Sequence, residues 1–142
     1  MPQDRYTGAA GNAFGRETAP RIGQALGATR ISKISNEFKL KERHVVIKCA
    51  RVDTTSVGVT YKMLDRLEAV LGAFEEPDGR FGVYEISAAE FRKRMRPSRS
   101  KGSAEHKVGL VAKRDFLNRG KLVSRVALPD QALNTGGDTQ CP

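Results

Sequence analysis

The chain has 142 residues, which suits one domain of ordinary size built around a single core. Its apolar fraction of 39% is slightly low for a globular protein, and with no run of about 18 apolar residues and no basic-then-apolar leader pattern, the expectation is a cytoplasmic protein without a membrane span. The net charge of +9 is concentrated: between Arg92 and Arg125 twelve Lys and Arg stand against only Glu105 and Asp115, while the remainder carries −1, so an evenly charged surface is excluded and this stretch is marked as a footprint for a polyanion.

In chain order, residues 1–15 lack periodicity and read as a loose, flexible segment. Thr18 then suits the cap of a short helix with Pro20 in its first turn and Ile22, Ala25 and Leu26 on one face, closed by Gly27. In ISKISNEFKL the apolar Ile34, Phe38 and Leu40 alternate with Ser35, Glu37 and Lys39, as in a strand with one wet face. RHVVIKCA follows after only Lys41 and Glu42 and is rich in β-branched residues, so the two form a hairpin. Beyond the polar stretch RVDTTSVGVT, the spacing of Met63, Leu64, Leu67, Val70, Leu71 and Phe74 predicts an amphipathic helix over YKMLDRLEAVLGAF. The turn EPDGR leads to a strand, FGVYEI. Ser87 and Glu90 form a capping box for a helix that ends near Arg96-Pro97. A basic loop, a short strand KVGLVA and a helical turn KRDFLNRG closed by Gly120 complete the pattern. The expected architecture is an α/β (α+β) domain over residues 16–126, a mixed sheet flanked by helices, with its basic part at 92–125 and a flexible tail at 127–142.

Cys49, inside an apolar run, reads as a small core residue, and with Cys141 it makes neither a metal spacing nor a disulfide framework. His44 and His106 are far apart in sequence with no cysteine beside them, so a zinc site is not expected. TTSVGVT lacks the spacing of a phosphate loop, and Ser56 has no identifiable base.

A two-residue turn at Lys41-Glu42 pairs Leu40 with Arg43, Phe38 with Val45 and Glu37 with Val46. Alternation then places Glu37 and Lys48 on one face, and Phe38, Leu40, Val45, Ile47 and Cys49 on the other as a core. A lysine in the middle of VVIKCA is costly unless satisfied, either by a cross-strand ion pair with Glu37 or by a functional role.

The helix-strand-strand-helix-strand order over roughly residues 16–95, with an acid on one strand and a lysine on the next, resembles the restriction-endonuclease-like PD-(D/E)xK nuclease superfamily. The resemblance implies an αββαβ core in which Glu37 matches the metal-binding acid, Lys48 the lysine that positions the attacking water, and Glu17 an assisting helix glutamate. Val46 stands where the second metal-binding acid is usual, and Asn36-Glu37 replaces proline-aspartate; Asp65 or Glu68 on the following helix would have to substitute as metal ligand. The resemblance implies Mg²⁺, which would neutralise charge at phosphorus and lower the pKa of a bound water, and it leaves room for a homodimer.

The cations Arg92, Lys93, Arg94, Arg96, Arg99, Lys101 and Lys107 suit phosphate contacts that position without reading bases. With aromatic residues at 6% and no Trp, gripping a duplex backbone is favoured over stacking on single strands, and DNA is the expected partner ahead of RNA. Two functions therefore stand: a metal-dependent DNA endonuclease, or a non-catalytic DNA- or RNA-binding or regulatory module.

Overall fold

The computed structural model describes residues 2–32, 35–98 and 107–128, with side chains from residue 13 onward. A long helix, α1 (Pro2–Leu26), leads into β1 (Thr29–Arg30), the hairpin β2 (Glu37–Leu40) and β3 (Arg43–Ala50), then β4 (Ser56–Thr60) and the single turn α2 (Tyr61–Leu64). Strands β5 (Ala69–Glu75) and β6 (Phe81–Ser87) follow, then α3 (Ala88–Arg94), β7 (Arg96–Pro97), β8 (Val108–Ala112), α4 (Lys113–Arg119) and β9 (Lys121–Val126). The strands form a six-stranded mixed sheet in the order β1-β2-β3-β5-β6-β9 and a three-stranded sheet in the order β4-β8-β7. The fold is α+β, as the element pattern predicts.

Two cores result, one on each face of the large sheet. Helix α1 covers the first, where Ala19 and Ile22 meet Phe38, Leu40, Val45, Ile47, Leu71 and Val83. Close approach is built into this contact: a Cβ on Gly23 would stand 2.6 Å from the Phe38 ring. The second core holds Val46, Val70 and Ile86 from the large sheet, Val57, Val59 and Val111 from the small one, and Phe91 and Phe116 from α3 and α4.

The hairpin register is the expected one, with Leu40 opposite Arg43, Phe38 opposite Val45 and Glu37 opposite Val46. Lys41 and Glu42 both have positive φ, 52° and 68°, so the two-residue turn has the I′ geometry whose twist matches the strands, although neither residue is a Gly or Asn. Of the expected capping box the Ser87 half forms, with the Glu90 backbone N–H donating to Ser87 Oγ at 3.0 Å, while the Glu90 carboxylate pairs with Arg94 instead.

Three expectations are corrected. The helix predicted over residues 61–74 is one turn, α2, followed by β5. Strand β5 lies between β3 and β6 with a core on either face, so Ala69 to Phe74 are all buried. A strand buried on both faces requires an unbroken apolar run, and AVLGAF meets that need as readily as it meets a helical stripe. Gly72, poor in a helix, fits here because a Cβ would stand 2.7 Å from the Phe74 ring and 3.1 Å from Phe116.

The second correction concerns Thr18, which lies inside α1 rather than at its start. The third concerns Glu37 itself, which does not lie on a wet surface: it is 4% exposed, although Lys39 on the same face of β2 remains exposed. Strands β4 and β9, expected as polar stretch and basic appendix, are real; each shows its chain neighbours to solvent while burying Val57 and Val59, or Val126.

Candidate functional site

Glu37 opens β2 beside Val46 and lies at the margin of the second core. Arg66, in the turn after α2, reaches it in a two-point fork, Nε to Oε1 and Nη2 to Oε2, both at 2.8 Å. His44 Nε2 lies 2.8 Å from Oε1, and Ser35 Oγ donates to Oε2 at 2.7 Å. Each carboxylate oxygen thus holds two polar partners, which fills the roughly four lone-pair positions of a carboxylate. The Arg66 guanidinium first, then the Ser35 and His44 contacts, outweigh the cost of burial and hold the Glu37 carboxyl at about 2.

Lys48 shares the face of Glu37, as the alternation requires, and lies opposite Gly72 of the parallel neighbour β5. Of the two alternatives for Lys48, the cross-strand ion pair does not form: Glu37 is taken by Arg66, and loss of water around the Lys48 ammonium pushes its pKa down. Cys49, on the opposite face, packs half-buried against the first core, and burial pushes its thiol up to about 12. That fits the core role read from the sequence.

The other expected site acids do not converge on Glu37. Glu17 is exposed on α1, which covers the opposite face of the sheet. Asp65 is engaged by Arg92 Nη2 at 2.5 Å, and the Glu68 carboxylate accepts from the His44 backbone N–H at 3.2 Å. Among the described residues no three His, Cys, Asp or Glu side chains group as a metal site would require. The Mg²⁺ implied by the family resemblance is therefore not matched by this donor set, because the central carboxylate is already saturated by a guanidinium. Arg66 is the residue that sequence reading missed. Its signal was slight: an arginine off the apolar spacing of a segment taken for a helix.

The basic stretch separates into two groups. Arg92, Arg94 and Arg125 form ion pairs with Asp65, Glu90 and Glu76. Lys93, Arg96, Lys107, Lys113, Arg114 and Arg119 make no ion pair among the described residues, and all but the half-buried Lys113 are exposed. Arg99 and Lys101 lie outside the described residues. Phe91 of α3 and Phe116 of α4 pack edge to face at 6.3 Å, so the two helices are neighbours, and Lys93 and Arg119 both lie within electrostatic reach of Glu90. These cations thus belong to one layer made of α3, β7, α4 and the residue before β8, with Lys113 Nζ also 5.6 Å from the centre of the Phe74 ring.

A cleft of about 490 Å³ opens in this layer, lined by Val52, Thr54, Thr55, Arg96, Ala112, Lys113, Arg114 and Leu117. No helix among the described residues is long and apolar enough to cross a membrane. The chain matches no protein-family model, and neither a curated protein nor a solved structure is significantly similar to it.

Proposed function

We propose that the chain is a non-catalytic, cytoplasmic nucleic-acid-binding module that grips the phosphodiester backbone of duplex DNA. The observation supporting this reading is the layer of cations on α3, β7 and α4 that form no ion pair among the described residues, beside a Glu37 whose own partners are all internal. Phosphate oxygens would complete the cations as carboxylates complete Arg92 and Arg94, and such contacts position a duplex without reading its sequence.

Affinity for a short duplex, followed by fluorescence anisotropy, is expected to fall at least about a hundredfold between about 50 and 200 mM salt. Reversing the two cations near Glu90, Lys93→Glu with Arg119→Glu, lowers affinity and reduces the salt slope by about 2. Salt-insensitive binding, or a double variant that binds as well as the parent, overturns the reading. A nicking assay on supercoiled plasmid with Mg²⁺ separates it from the nuclease alternative: metal-dependent cleavage lost in both Glu37→Gln and Lys48→Met would make the Glu37 face an active site.

A further inference from the structure

The cleft between the β3–β4 connection and α4 differs from the rest of the basic layer because it is amphipathic. Arg96 from β7 and Lys113 and Arg114 from α4 supply three cations, and no carboxylate lines it among the described residues. Thr54 and Thr55 add hydroxyls on the facing wall. Val52 and Leu117 supply apolar surface, and they are 47% and 42% exposed, two of the few large hydrophobic side chains the fold leaves open to water. Both belonging to one concavity is an arrangement that a solvated surface does not call for.

The walls are held. The Lys113 backbone N–H donates to the Thr55 carbonyl at 2.8 Å, tying the connection to the start of α4. Arg96 is fixed by the pairing of β7 with β8, opposite Leu110. The volume of about 490 Å³ falls within the range of roughly 300–1,000 Å³ that holds one small organic group, and is too confined for a double helix.

A ligand for such a cleft carries a phosphate at one end and a flat body with apolar faces at the other. In a duplex those faces are stacked and unreachable; in an unpaired nucleotide they are bare. We propose that the cleft receives one unpaired nucleotide at the end of, or a break in, a bound duplex. Arg96, Lys113 and Arg114 take its phosphate, Val52 and Leu117 cover its base or sugar, and Thr54 and Thr55 are placed for its polar edges. The inference rests on the nucleic-acid reading above and adds a structural preference to it: junctions and overhangs over blunt duplex.

The test compares a blunt duplex with the same duplex bearing a short single-stranded overhang, using the parent protein, Leu117→Ser and Val52→Ser, which remove the apolar contact without adding a charge beside the three cations. Both variants change exposed side chains, and thermal unfolding checks that each is folded. The overhang is expected to bind about tenfold more tightly than the blunt end, and both variants are expected to lose that preference while keeping their affinity for blunt duplex. Adenosine 5′-monophosphate should displace the overhang at concentrations where inorganic phosphate does not.

Equal affinity for the two duplexes overturns the cleft proposal and leaves the backbone-binding reading intact. A preference that survives both substitutions, or displacement by inorganic phosphate as effective as by the nucleotide, also overturns it, the latter because the cleft would then hold phosphate alone. Failure to bind either duplex overturns both readings together.

Discussion

Glu37 shows how a single carboxylate turns from apparent ligand to structural anchor. Its folded pKa of about 2 lies below the ordinary value of 4.5, so the stabilisation it supplies is fully present above about pH 4.5 and is lost as pH falls through about 2. Allowing for solvent around the half-exposed Arg66, that stabilisation is roughly 2–3 kcal/mol. Glu37→Gln is therefore expected to lower the urea midpoint at pH 7 and to flatten its decline toward pH 3, whereas the parent keeps this contribution down to about pH 4.5 and loses it progressively below. A variant as stable as the parent at pH 7 would mean that the fork with Arg66 contributes nothing net. Lys48 shows the opposite case: it is half-buried, and loss of water around its ammonium pushes its pKa down.

At the scale of elements, the hairpin was legible because alternation and loop length both act locally. Phe38, Leu40, Val45 and Ile47 could share a face in only one register, and two intervening residues admitted only a tight turn. The same holds for α3, where Ser87 and Glu90 three residues apart are a local device. What stayed hidden depends on distant partners. Whether AVLGAF becomes helix or strand is decided by β3 and β6 on either side, and Glu37 finds Arg66 only because the chain turns after α2. The candidate site was accordingly read in part: Glu37 and Lys48 do share a face, but the groups around the carboxylate were out of local view.

The turn itself carries a testable cost. Lys41 and Glu42 occupy the left-handed region, which disfavours residues with a Cβ by roughly 1–2 kcal/mol each. Replacing them together, Lys41→Asn with Glu42→Gly, is expected to raise stability by about 1 kcal/mol, the remainder being offset by glycine's greater freedom in the unfolded chain. Chemical denaturation reads this directly, and a lowered midpoint would contradict the I′ assignment.

For the whole molecule, the two sheets do not stand alone. The large sheet is sandwiched between α1 and the layer made by the small sheet with α3 and α4, so the cations proposed to meet DNA are carried on elements whose inner sides, Phe91, Val111 and Phe116, form half of the second core. Charge reversals at Lys93 and Arg119 should leave the thermal midpoint nearly unchanged, since both side chains point away from that core, and a large drop would show that they serve packing rather than binding.

The antiparallel ladders β4–β8 and β6–β9 join residues far apart in the chain, as Ser56 to Ala112 and Phe81 to Val126. During synthesis β4 and β6 therefore leave the ribosome long before the strands that will cover their edges; the small sheet is complete only at Ala112 and the large one only at Val126. Until then Val57, Val59, Phe81 and Val83 have nowhere complete to go. A fragment ending at Lys107 is expected to remain insoluble or chaperone-bound, while extension through Leu128, itself buried, should release soluble protein; pelleting assays on a truncation series would locate the step.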